Sequence, residues 1–184
     1  MIFSRATVGR LALPLVLAAG SALAVRPVAP QAKPSADAAP QKSMEVVTAD
    51  RYLALVSQHH GKALMVTFWA TWCEPCRDEY PMVNELVKQN APKGLDVFAV
   101  SLDDDAEESL ALKFIAKTQP VFTNYRKKPG KEEEFINQIN PKWTGALPAT
   151  FFYGRDGRLV SQLVGEHPRE QFVTEIEKLL ATKP

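Results

Sequence analysis

At 184 residues with 46% hydrophobic composition, the chain can bury one ordinary core, so one globular domain is expected. Its 22 basic and 21 acidic residues leave a formal charge of +1. That balance offers no basic excess for nucleic acid and no acidic, solvating tail. The two cysteines exclude a disulfide-rich scaffold and a four-thiolate zinc site.

The chain opens with Arg5 and Arg10 ahead of the apolar run LALPLVLAAG, followed by SALAV with Ala22 and Ala24 as the small residues of a cleavage site. Residues 1–24 therefore read as a signal peptide cut after Ala24. A retained membrane anchor is the alternative, although the uncharged run between Arg10 and Arg26 is shorter than the ~20 residues a span needs. Either way the domain is expected in the periplasm, where thiols tend to be oxidised. Residues 25–43, VRPVAPQAKPSADAAPQKS, are rich in Pro and Ala and have no aromatic residue, as in an extended tether. Residues 44–184 form the globular part.

In that part TADRYLALVSQHH predicts a helix capped by Thr48 or Asp50, and ALMVTFW a buried strand after Gly61. A helix from about Cys73 to Gln89 is interrupted or kinked by Pro81, which lacks a backbone donor. LDVFAVSL is the next buried strand and AEESLALKFIAKT the next amphipathic helix. VFTNYRKKPG suits a short strand and turn, and KEEEFINQIN a short helix ended by Pro141. PATFFYGRDGRLVSQLVG reads as two strands joined at Asp156-Gly157, and Pro168 opens a final helix through about Leu180. The order βαβα then ββα describes an α/β fold, a mixed sheet flanked by helices.

Cys73 and Cys76 stand two residues apart at the junction of the first buried strand and its helix. A loop so small removes little entropy from the unfolded chain, so a purely structural staple is a poor explanation. At such a junction, residues i and i+3 approach the roughly 5–6 Å Cα separation that a disulfide needs. Cys73 at the helix N-terminus has free N–H groups and the macrodipole to favour its thiolate, while Cys76 lies one turn deeper. The pair supplies an attacking and a resolving sulfur, for a bond that is made and broken. A copper site is an alternative, since paired thiolates suit a soft metal.

VTFWATWCEPCRDEYPMVNEL resembles the active-site region of thioredoxin-fold proteins, in particular the extracytoplasmic TlpA/ResA-like thiol-disulfide oxidoreductases. TGALPATFFYGRDGRLV is similar to that family's second signature, and the likeness runs from about Met44 to the C-terminus. The resemblance implies a thioredoxin-like fold, a cis peptide before Pro148, and Trp72 beside the nucleophile. It also places Trp72, Glu74, Pro75 and Leu147 on the substrate-binding side, the Leu147 backbone pairing with an extended segment. Glu79, one turn beyond Cys76, matches an active-site glutamate of the ResA-like group and joins Cys73, Cys76 and Pro148 as a catalytic candidate. Thr67 departs from the cytoplasmic thioredoxins, which carry a buried aspartate there. The Tyr125 to Trp143 segment is longer and more charged than in simpler members.

The implied activity is reduction of disulfides in partner proteins, with no organic cofactor and no resident metal. Apocytochrome c or a copper-site assembly protein is the implied substrate, and a membrane thiol transporter the implied electron donor. A copper-binding assembly factor, or a disulfide oxidase or isomerase, is the alternative. Glu74, Asp78 and Glu79 near the helix start oppose the dipole and favour the disulfide, which suits an electron donor, and Arg77 offsets part of this. His59, His60 and His167 read as structural. The run Asp103, Asp104 and Asp105 lacks the glycine and distal glutamate of a calcium loop and reads as a solvated helix cap.

Overall fold

The structure, a computed structural model, describes residues 41–182. The expected signal peptide and most of the expected tether lie outside the described residues. Among the described residues no helix is long and apolar enough to cross a membrane.

A short strand β1 (Glu45–Val47) leads to α1 (Ala49–Gln58), where the Thr48 hydroxyl accepts the Arg51 N–H at 3.2 Å. Of the two expected caps, Thr48 is the one used, and it satisfies an amide that the first helical turn leaves free. Every residue of β2 (Ala63–Trp69) is buried. After it come α2 (Glu74–Asn90), β3 (Leu95–Ser101) and α3 (Glu108–Thr118). The chain continues through β4 (Thr123–Lys127), α4 (Glu132–Ile139), β5 (Ala149–Tyr153), β6 (Leu159–Val164) and α5 (Arg169–Leu180).

The strands form one sheet in the order β1-β4-β3-β2-β5-β6. β1, β4, β3 and β2 run parallel, and β5 and β6 are antiparallel to their neighbours. Near-continuous burial of β2, β3 and β5 is what a sheet covered on both faces demands. Adjacent residues on a strand point to opposite faces, and Phe68 and Trp69 sort the helices accordingly. The Phe68 ring packs with Tyr52 of α1, Trp143 and Phe151, and Tyr52 also meets Phe135 of α4. Trp69 packs on the other face with Tyr80 of α2 and Phe114 of α3. Arg169 of α5 reaches Glu85 and Gln89 of α2 on that same side.

One element was unforeseen, and the expected interruption of another is absent. β1 was not anticipated: it is three residues long and only Val47 is buried, too little to show a period. α2 is not interrupted at Pro81. The lost hydrogen bond is outweighed by a buried face that continues on both sides of the proline, from Cys76, Glu79 and Tyr80 to Val83, Leu86 and Val87. The turn expected between the last two strands is present. Gly157 takes a φ of 75°, which favours glycine, and its N–H donates to the Gly154 carbonyl at 2.8 Å.

Candidate active site

β2 carries the chain to the site, and its last residue is anchored from behind. The Trp69 indole N–H donates to Asn124 Oδ1 at 3.2 Å, and the Tyr80 hydroxyl donates to the same oxygen at 2.8 Å. The chain then turns through Ala70–Trp72, with the Cys73 N–H donating to the Ala70 carbonyl at 3.2 Å. Cys73 is the N-cap of α2, its Sγ accepting the Cys76 N–H at 3.3 Å. Sulfur here takes the place of the usual capping oxygen. Cys73 and Cys76 are joined by a disulfide with Cα atoms 5.3 Å apart.

Both cysteines are buried, Cys73 at 6% exposure and Cys76 at 2%. Burial alone hardly distinguishes them; position at the helix end does. Trp72 is 59% exposed, the most open large apolar side chain among the described residues. Glu74 is exposed and Pro75 half-buried in the first turn of α2. The Leu147–Pro148 peptide is cis, Pro148 is buried and Leu147 half-buried. Because Phe68 pairs with Ala149, that peptide lies at the end of β2 from which the cysteine loop departs. The Pro148 carbonyl accepts the Gly165 N–H at 2.8 Å, which ties the β6–α5 loop to the same corner.

Glu79 is 8% exposed and shares the buried face of α2 with Cys76, one turn away. Burial pushes its carboxyl up to about 7; the His167 main chain partly opposes this and the Glu166 charge adds to it. Its Oε2 has no hydrogen-bond partner in the protein. Thr67 is buried, and its hydroxyl accepts from that of Thr150 at 3.3 Å, so no acid occupies that position.

The acidic run after β3 is not a solvated cap throughout. Asp104 does form a capping box with Glu107 at the short helical turn Asp105–Glu107. Asp103, in contrast, is 0% exposed. Its carboxylate accepts the Thr71 N–H at 2.9 and 3.1 Å, the Thr71 hydroxyl at 2.7 Å and the Ser101 hydroxyl at 2.6 Å. The Thr71 carbonyl accepts from Arg77 Nη1 at 2.9 Å. Sequence reasoning missed this anchor because its partners are far apart in the chain and nothing in an acidic run marks one member as buried.

His59 and His167 bond within the protein, whereas His60 is exposed. His59 Nδ1 is 3.0 Å from Asp96 Oδ2, which also receives Lys62 Nζ at 2.7 Å, and His167 Nε2 is 3.1 Å from the Val164 carbonyl. Among the described residues no group of three or more His, Cys, Asp or Glu side chains is placed to hold a metal ion.

A parallel sheet extended by an antiparallel hairpin, a C-x-x-C pair capping the helix after the central strand, and a cis proline at the same corner define a thioredoxin-like protein. A family model, the AhpC/TSA family, matches residues 36–162, and the chain belongs to that family. The thiol-disulfide oxidoreductase ResA of a Bacillus cereus strain is 31% identical over 119 residues, 65% of this chain. The chain spans 64% of the length of that relative. The thiol:disulfide interchange protein HelX of Rhodobacter capsulatus is 29% identical over 177 residues, covering 92% of this chain and 94% of HelX. A thiol:disulfide interchange protein DsbE from Chlorobium tepidum superposes with a TM-score of 0.58 at 29% identity, over 68% of this chain and 85% of its own.

Proposed function

We propose that the protein is a periplasmic thiol-disulfide oxidoreductase that reduces disulfides in partner proteins. The observation that carries this reading is the Cys73–Cys76 disulfide at the cap of α2, beside the exposed Trp72. In the reduced form the Cys73 thiolate attacks one sulfur of the partner disulfide, forming a mixed disulfide and expelling the other partner sulfur as a thiolate. The Cys76 thiolate then attacks Cys73 Sγ, and the second partner sulfur leaves. Two electrons pass from this chain to the partner, and the protons lost by the two cysteines equal those taken up by the two partner sulfurs.

Glu79 is suited to take the Cys76 proton, because a carboxyl that titrates near 7 is half-ionised under working conditions. Pro148 and the Leu147 backbone form the surface against which an extended partner segment lies, flanked by Trp72, Glu74 and Pro75. The resemblance to the TlpA/ResA-like group favours a disulfide-bearing apocytochrome c or copper-site assembly protein as substrate, with a membrane thiol transporter returning the electrons. The signal-peptide reading of residues 1–24 supports export. No organic cofactor enters this scheme.

Equilibration of the full chain with glutathione buffers tests the direction of electron flow. The expected potential lies nearer thioredoxin's roughly −270 mV than the roughly −120 mV of a strong oxidant. A value above about −180 mV, in the isomerase or oxidase range, overturns the reductase reading. A Cys76→Ser variant, unable to resolve, is expected to accumulate mixed disulfides through Cys73, whose partners can be identified.

A further inference from the structure

The sulfur exchange above gives no part to the buried carboxylate of Asp103, which is bonded to the turn before Cys73. Complete burial of an aspartate is costly unless its charge is compensated. The compensation here comes from neutral donors alone, the Thr71 N–H and the hydroxyls of Thr71 and Ser101. The arrangement is closed on itself, since the Ser101 hydroxyl also accepts the Asp103 N–H at 3.0 Å. Ser101 pairs with Trp69, and the Leu102 N–H donates to the Trp69 carbonyl at 2.8 Å. The end of β3 is thereby locked to the end of β2, and Asp103 extends that lock to Thr71, next to Trp72 and Cys73.

The Thr71 unit is therefore held on both sides, its N–H and hydroxyl by Asp103 and its carbonyl by Arg77 of α2. The charged groups on the first turns of α2 differ from Asp103 in kind. Glu74, Arg77 and Asp78 are exposed, so water and salt screen them, whereas the enclosed Asp103 charge is screened far less. We propose that Asp103 is a positioning residue for the exchange: it fixes the turn that presents Cys73, and its buried charge disfavours the Cys73 thiolate and biases the pair towards the disulfide. A destabilised thiolate means a destabilised reduced form, hence a better electron donor. The proposal rests on the reductase reading.

The test uses the full chain in glutathione buffers, where disulfide and two glutathione thiols exchange with dithiol and one glutathione disulfide. Asp103→Asn is expected to move this equilibrium about tenfold towards the dithiol, about 30 mV for a two-electron couple. Alkylation of reduced Cys73 near neutral pH is expected to quicken several-fold. A merely structural role lowers the unfolding temperature and leaves both readouts at wild type; that result overturns the proposal. Thr71→Val keeps the carboxylate and the main-chain donor but removes one compensating hydroxyl, so it should move the equilibrium the opposite way, several-fold towards the disulfide. If Asp103→Asn does not fold, this second variant decides, and no shift or a shift towards the dithiol refutes the assignment. The wild-type equilibrium alone tests the reductase reading, whereas the ratio of variant to wild type tests Asp103.

Discussion

Glu79, one turn past Cys76, and Asp103, bonded to Thr71 two residues before Cys73, are two enclosed carboxyls whose surroundings give them different characters. Asp103 is surrounded by donors, while Glu79 has an Oε2 without a partner and a neighbouring Glu166 charge. Raised from its ordinary value to about 7, Glu79 stays the neutral acid in the folded state up to a higher pH than in the unfolded chain. Between about pH 4.5 and about pH 7 the folded chain thus binds more protons than the unfolded one. The stability gained is complete below the unfolded value and is lost as pH rises through the folded one. Glu79→Gln removes that loss, so the variant should gain urea resistance relative to wild type from about pH 5 to about pH 8. Parallel denaturation midpoints across that range would refute the assignment. The same substitution should flatten the pH dependence of partner reduction, if Glu79 moves the Cys76 proton. The position of Glu79, one turn past Cys76, was legible from helical spacing. The orphaned oxygen was not, because it depends on the β6–α5 loop folding back over α2.

At the scale of elements, β4 was expected as a short strand, and its burial is what pattern reading misses. Its sequence TNYRK has no apolar period, yet it lies between β1 and β3 with Asn124, Arg126 and Lys127 all buried. Arg126 meets Asp105 at 2.7 Å and Glu108 at 3.7 Å, and Lys127 meets Asp104 at 3.5 Å. Buried cations are thus covered by acids from the segment that follows β3, a pairing that tertiary structure alone reveals. Long apolar runs and a turn glycine marked β2, β3, β5 and β6 locally, whereas the short strand expected in VFTNYRKKPG gave no sign of its burial. Asn124 also gives β4 a role at the site, since one amide oxygen holds both Trp69 and Tyr80. Asn124→Ala leaves two buried donors unpaired and is expected to cost about 2–4 kcal/mol. A urea unfolding midpoint within error of wild type would show that water replaces the amide at no cost.

For the whole molecule, the question is where the folded unit starts. The sequence suggests Met44, where composition turns globular, but Gln41 already makes specific contacts. Its amide donates to the Asn124 carbonyl at 2.6 Å and accepts the Asn124 N–H at 3.1 Å. β1 reaches only as far as Glu45 opposite Tyr125, so the Gln41 side chain stands in for a missing strand partner at the next position of β4. A chain begun at Met44 should therefore unfold about 1–2 kcal/mol more easily than one begun at Lys33, which keeps Gln41. Equal stabilities would place the functional boundary at Met44 after all. The pairing of β1 with β4 also sets an order of events during synthesis. The segment around Glu45 emerges early but has no partner until Tyr125 follows, with all of α1, β2, α2, β3 and α3 in between. Loop closure over such a span is slow and comes late. The parallel β2–α2–β3 unit that carries the redox pair is local by comparison, so Cys73 and Cys76 can be brought together on a nascent chain whose outer edge is still open.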